Sequence, residues 1–169
     1  MSIKNIPTDR LILIPITLEI IKELINGSGR TIENLGIEKH RNWPTADTKD
    51  ILHIFCNRLK ECNRPTGFEF WMIVKKDSNT IIGDIGFKGQ PDEDGATEIG
   101  YGLVEEERGK GFGLEALKAM IAWALSHENV KTVKAECLIE NNPSARILEK
   151  AGMKEVDRDD ELIYWEISK

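Results

Sequence analysis

The run Arg108-Gly109-Lys110-Gly111-Phe112-Gly113 is suited to holding an anion. Glycines at alternate positions leave backbone N–H groups uncovered by side chains. The run lies between an apolar, strand-like stretch, Thr97 to Val104, and an amphipathic helix that opens at about Gly113. A helix N-terminus adds unpaired N–H donors and a partial positive charge. Arg108 and Lys110 add full charges. This arrangement predicts a pocket for a phosphate or pyrophosphate.

Two familiar phosphate loops fit badly. The P-loop requires Gly-Lys followed by Ser or Thr, whereas Gly111 follows Lys110 and supplies no hydroxyl for magnesium. The dinucleotide fingerprint would place its last glycine at position 114, which is Leu114. A third pattern fits: Arg or Gln, two residues, Gly, one residue, Gly or Ala, after a strand and before a helix. Through Arg108, Gly111 and Gly113 the loop resembles the coenzyme A pyrophosphate loop of the GNAT N-acetyltransferases. Two further segments carry the same resemblance. Asn141-Asn142-Pro143-Ser144, continuing to Leu148-Glu149-Lys150-Ala151-Gly152-Met153, is similar to the downstream N-x-x-S … L-E-K-x-G-F segment. Thr8-Asp9-Arg10-Leu11-Ile12-Leu13-Ile14-Pro15 resembles the opening strand of the ribosomal-protein alanine N-acetyltransferase branch, with Ile14 where Arg is usual. The three matches run from Thr8 to Met153 in order and cover nearly the whole chain.

These residues need elements to position them. Leu11 to Ile16 reads as a buried strand, and Leu18 to Ile25 as a helix capped by Thr17 and stopped by Gly27. Residues 28–46 read as a loop with a short helical piece, and Thr48 to Cys62 as an amphipathic helix. Phe68 to Lys75 and Thr80 to Lys88 form a hairpin around Asp77-Ser78-Asn79. The strand Thr97 to Val104, the helix from Gly113 to Ser126 and the strand Thr132 to Ile139 follow. Asn142 suits the cap of a helix from Pro143 to Ala151. Two last strands run from about Met153 to Val156 and from Leu162 to Ser168. The expected fold is one α/β domain over residues 1–169, with a mixed sheet whose strands around the glycine loop pair in parallel. The resemblance implies a mostly antiparallel sheet of seven strands, splayed between the fourth and fifth, with about four helices and the coenzyme in the gap.

Acyl transfer from a thioester to an amine needs a proton acceptor, an oxyanion donor, a proton source for the thiolate and juxtaposed substrates. Glu98, on the strand entering the loop, is the candidate base, directly or through water; its plainer role is a strand carboxylate facing solvent or a cation. Gly100-Tyr101-Gly102 interrupts a β-rich segment and suggests a bulge or a close backbone approach. By the resemblance, this strand bulges and offers the N–H of Gly102 or Leu103 to the thioester carbonyl. Tyr101 packs as a wall or donates its hydroxyl. Ser144 is the candidate acid, in the modest form of a hydrogen bond to sulfur. The resemblance implies acetyl-CoA contacts from Gly102, Leu103 and Val104, from Arg108, Gly109, Lys110, Gly111, Phe112 and Gly113, and from Asn141 on the pantetheine arm. Trp43, beside Pro44 in a polar loop, is a candidate wall of the acceptor cleft, whereas Phe68, Phe70 and Trp71 suit the core. Glu105-Glu106-Glu107 reads as a solvated acidic turn. Cys137 has no base near it in sequence, which favours direct transfer over a covalent acyl-enzyme.

Composition limits the alternatives. A chain of 169 residues with net charge −6 suits a single globular domain and argues against duplex nucleic acid as a partner. No apolar run reaches the roughly 20 residues that span a bilayer. Three cysteines without C-x-x-C spacing suggest reduced thiols in the cytoplasm, and His40, His53 and His127 lack metal-ligand spacing. The expectation is an acetyl-CoA-dependent N-acetyltransferase without a metal. Its acceptor is a protein N-terminal amine, or a small amine such as a polyamine, amino acid or aminoglycoside. A non-catalytic acyl-CoA-binding module is the alternative. A homodimer is suggested by the family alone.

Overall fold

The computed structural model describes residues 2–62 and 64–169. Its strands are β1 (Ile6–Pro7), β2 (Leu11–Pro15), β3 (Glu38–Lys39), β4 (Phe70–Lys75), β5 (Thr80–Phe87), β6 (Ala96–Leu103), β7 (Thr132–Leu138), β8 (Lys154–Arg158) and β9 (Leu162–Ser168). Its helices are α1 (Leu18–Asn26), α2 (Arg30–Asn34), α3 (Ala46–Cys62), α4 (Phe112–Leu125) and α5 (Asn142–Lys150). Among the described residues the sheet therefore has nine strands rather than seven, and there are five α-helices against the expected four or so. The additions are two-residue strands and a five-residue helix, too short to show a period in the sequence.

The sheet order is β1-β2-β4-β5-β6-β7-β9-β8, with β3 parallel to the start of β5. All other pairs are antiparallel except β6 with β7, which runs parallel on either side of α4. Side-chain alternation along the strands assigns the two faces. Trp71 and Phe87 meet Trp123 of α4, while Phe70 stacks on Phe55 of α3 with ring centroids 4.8 Å apart. Thus α4 and α5 cover one face, and α1 and α3 cover the other over β2, β4 and β5. Phe68, Phe70 and Trp71 are core residues, as expected. Burying one such side chain is worth about 1.5–3 kcal/mol. The aromatic cluster around Trp123 therefore fixes α4, and with it the glycine loop, against the sheet.

Candidate active site

The loop ends at Gly111, which caps α4 without a side-chain hydrogen bond and with φ +85°. The first intrahelical bond runs from Glu115 N–H to Gly111 O at 3.1 Å. The N–H groups of Phe112, Gly113 and Leu114 precede it and have no acceptor within the helix. Gly109 also has positive φ, +74°, and a Cβ there would meet nothing within 4 Å. The cradle is thus open, rich in donors and unfilled by side chains, which fits a pyrophosphate. Arg108 Nε donates to Leu103 O at 3.2 Å and Lys110 Nζ lies 3.2 Å from Glu107, so both cations stay beside the loop.

An N-terminal clamp holds this loop. Glu115 Oε1 accepts from Thr8 Oγ1 at 2.6 Å and from Arg10 N–H at 2.7 Å, and Oε2 accepts from Arg10 Nε at 2.8 Å. Arg10 Nη1 donates to Lys110 O at 2.9 Å, and its guanidinium lies 4.3 Å from the centre of the buried Phe112 ring. Partial burial would push the Glu115 carboxyl up, but the Thr8 and Arg10 bonds outweigh it and hold the group below its ordinary value. Thr8 and Arg10 carried the N-terminal resemblance, yet their partner lies more than 100 residues away, beyond any local sequence signal.

β6 and β7 pair only at Ala96↔Thr132, Thr97↔Val133 and Glu98↔Lys134. β6 then continues along β5 to Leu103, and the two halves of the sheet part. The gap-facing groups follow from alternation. Glu98 O accepts from Lys88 N–H at 2.8 Å, and Val104 N–H donates to Ile82 O at 2.9 Å. Even-numbered backbone groups of β6 therefore face β5, and the N–H groups of Tyr101 and Leu103 face the gap. The N–H of Leu103 thus faces the gap, whereas that of Gly102, the other expected oxyanion donor, points to β5. Val104 is buried and its N–H is occupied. The expected bulge in β6 is also missing: the register from Gly83↔Leu103 to Phe87↔Ile99 is regular. Gly100 and Gly102 instead supply room, since a Cβ on either would meet nothing within 4 Å.

Ser144 and Tyr101 sit on the α4–α5 side of the gap, with their oxygens 3.2 Å apart. Burial pushes the Tyr101 phenol above its ordinary value, against the Ser144 hydrogen bond. Asn141, not Asn142, caps α5: its Oδ1 accepts from Ser144 N–H at 3.2 Å. The helix starts one residue early because Asn142 already adopts helical geometry ahead of Pro143. Asn141 itself is exposed at the head of the helix.

The opposite side of the gap is acidic. Glu98 is ion-paired with Lys88, which also reaches Glu136 at 3.1 Å. Burial tends to lower the Lys88 ammonium, but its bonds to Glu98 and Glu136 prevail and raise it. Glu98, Lys134, Glu136 and Tyr164 line a cavity of about 310 Å³. Along the same face of β6 come Gly100 and Gly102, and across from Gly102 on β5 stands Asp84. Trp43 Nε1–H donates to Asp84 Oδ2 at 2.8 Å, and Thr48 Oγ1 donates to the same oxygen at 2.6 Å. Trp43 is only 3% exposed, so it stands behind Asp84 and does not form a cleft wall. Its indole N–H has a buried acceptor that no feature near Pro44 announced. Burial pushes the Asp84 carboxyl from 3.8 up to about 6, against the Thr48 and Trp43 bonds, and Asp47 adds to the rise. The acidic turn is mostly paired: Glu106 bonds Asn42 and lies 3.8 Å from Arg41, and Glu107 meets Lys75 and Lys110. Among the described residues no group of three or more His, Cys, Asp or Glu is arranged to hold a metal ion.

Known proteins share this domain and fold. Residues 10–154 match the acetyltransferase (GNAT) domain. The chain is 36% identical over 158 residues to the uncharacterized N-acetyltransferase YjdG of Bacillus subtilis, covering 94% of both proteins. The solved ribosomal-protein-S5-alanine acetyltransferase from Vibrio fischeri superposes with a TM-score of 0.69 at 19% identity, over 98% of this chain and 97% of that one. RimL, a ribosomal L7/L12 alpha-N-protein acetyltransferase in complex with coenzyme A, gives a TM-score of 0.67 at 16% identity over 98% of each chain. With a domain match over most of its length, an uncapped helix N-terminus behind a glycine loop and a sheet parted beside it, the chain belongs to the GNAT acetyltransferase family and is an acetyl-CoA-dependent acyltransferase.

Proposed function

We propose that this chain moves an acetyl group directly onto a protein N-terminal amine. One observation carries the reading: the parting of β6 and β7 beyond Glu98 and Lys134 opens a passage between two chemically different faces. On the α4–α5 face lie the pyrophosphate cradle, Tyr101, Ser144 and Asn141. On the other face lie Glu98, Lys88, Glu136 and the open floor over Gly100 and Gly102. Acetyl-CoA supplies a thioester, whose carbonyl becomes an oxyanion during attack and whose sulfur leaves as a thiolate. The N–H groups of Tyr101 and Leu103 meet the oxyanion. Ser144, braced by the Tyr101 hydroxyl, offers its O–H to the departing sulfur. Glu98 takes the proton of the amine, directly or through water. Arg108, Gly109, Lys110, Gly111, Phe112 and Gly113 hold the pyrophosphate through the helix N-terminus and the loop cations. Cys137 is buried and forms no hydrogen bond among the described residues, consistent with transfer without a covalent intermediate. The named functions of two structural neighbours, both acting on ribosomal proteins, support a protein acceptor.

The test is an acceptor screen that reads free thiol released from acetyl-CoA. Short peptides with free N-termini are compared with the same peptides blocked at the N-terminus, and with polyamines, amino acids and aminoglycosides. The expected result is turnover with free N-termini and none with blocked ones. Faster turnover of a small amine would overturn the acceptor class, and coenzyme binding without turnover across the panel would leave a binding module.

A further inference from the structure

Two buried carboxylates lie outside the assigned chemistry, and their surroundings differ. Glu69 accepts from Thr66 N–H, Thr66 Oγ1 and Gly67 N–H at 2.9, 2.6 and 3.0 Å, so both of its oxygens are satisfied within one turn. Asp84 receives both of its bonds on Oδ2. Its Oδ1 accepts nothing from the described residues, yet it is not sealed off from solvent. No cation among the described residues pairs with Asp84. The elements packed around it bring Trp43 from the preceding loop, Thr48 and Asp47 from α3, Met72 from β4 and Gly102 from β6, and the one charge among these is a second acid. A buried carboxylate is costly unless it is paired. The open space is on its own face, over Gly102 and Gly100. Glu98 closes the far end of that floor, about 13 Å away along the strand.

We propose that Asp84 is the acceptor-recognition carboxylate of this cleft, and that its missing counter-ion is the ammonium group of the incoming amine, held by Oδ1. The role is binding and orientation. Trp43 and Thr48 fix the carboxylate by occupying Oδ2, which leaves Oδ1 to take the ammonium. Glu98, paired with Lys88 at the far end of the floor, takes the amine proton only through intervening water. The inference rests on the acetyl-transfer reading for the location of the acceptor, but its ligand class, a primary ammonium, is readable without turnover.

The Trp43 indole N–H, bonded to Asp84, is a built-in reporter. Indole ¹⁵N spectra of the full chain at pH 7.5 are recorded with increasing propylammonium, and separately with 1-propanol. The Trp43 signal should move saturably with the ammonium, stay fixed with the alcohol and cease to respond in Asp84→Asn. With an acceptor from the screen, Asp84→Asn should raise the acceptor KM at least tenfold and leave the acetyl-CoA KM within twofold. An unmoved Trp43 signal, or an unchanged acceptor KM in folded Asp84→Asn, overturns the proposal. Should the variant not fold, the wild-type comparison of ammonium with alcohol decides alone. If the Trp43 signal responds but no amine is acetylated, the acetyl-transfer reading fails and the ammonium site stands.

Discussion

Asp84→Asn should make the protein more stable, by an amount that depends on pH. The Asp84 carboxyl is pushed from 3.8 to about 6 mainly by burial. Between these values the folded chain binds a proton that the unfolded chain has released, so this group's contribution to stability falls as pH rises. It is complete below about 3.8 and lost by the time pH has passed 6. At 1.36 kcal/mol for each pH unit, the loss is at most about 3 kcal/mol. Asn has nearly the same shape, does not ionise and can accept from Trp43 and Thr48 through its amide oxygen. The stability difference, Asp84→Asn minus wild type, should therefore rise by up to about 3 kcal/mol between pH 4 and pH 7 and level off above that. In a chain of this size the plateau corresponds to roughly 6–12 °C in Tm. Urea unfolding of both proteins at matched pH isolates the term, because all other groups cancel in the difference. A difference that stays flat with pH, or falls as pH rises, would refute the argument that Asp84 is held as an uncompensated buried acid.

Three further outcomes follow from the site. Gly111→Val places a branched side chain at φ +85° with its Cβ 3.2 Å from Arg10 Nη2, and should weaken acetyl-CoA binding by calorimetry at least tenfold in a folded protein; unchanged affinity would remove the loop from the coenzyme site. Arg108→Ala should raise the acetyl-CoA KM more than it lowers kcat, since in the proposed site its charge acts on phosphates remote from the acyl carbon; a pure kcat defect would contradict that placement. Glu98→Gln should lower kcat by about 10² at neutral pH, with the loss shrinking toward pH 9.5 as more acceptor arrives neutral; a variant within threefold of wild type throughout would reduce Glu98 to an ion-pair partner of Lys88.

What the sequence disclosed depended on how local each cause was. Thr17 and Gly27 bound α1 as expected, because a cap and a stop act within one turn. The glycine loop, the α4 start and the parallel pairing of β6 with β7 were equally readable from adjacent residues. The cap of α5 was misplaced by a single residue, since Asn141 and Asn142 offer the same chemistry and only backbone geometry chooses between them. Asp84 was missed, and Trp43 expected at a cleft wall instead of behind Asp84, for a different reason. Asp84 sits in Ile-Ile-Gly-Asp-Ile-Gly, where alternation makes it look like an ordinary polar strand position. It is buried because α3 lies over that face, and its bonds to Trp43 and Thr48 cross 41 and 36 residues.

That long-range placement bears on how one sheet manages two opposed demands. The coenzyme carries several negative charges and needs donors and cations, whereas an amine acceptor needs carboxylates. On a single surface the two sets would neutralise each other across a few ångströms. β6 separates them by its pleat: Tyr101 faces Ser144 and the coenzyme side, while Glu98, Gly100 and Gly102 face the acidic floor, and the side chains on the two faces come from alternate residues of one strand. The gap beyond Glu98, where β7 departs, connects the two. In the proposed function the amine and the thioester therefore meet from opposite sides without either carboxylate approaching the phosphates. The regular register of β6 is what preserves this division. A one-residue bulge between Glu98 and Gly102 would put Glu98 and Asp84 on opposite faces and leave the acceptor with one carboxylate instead of two.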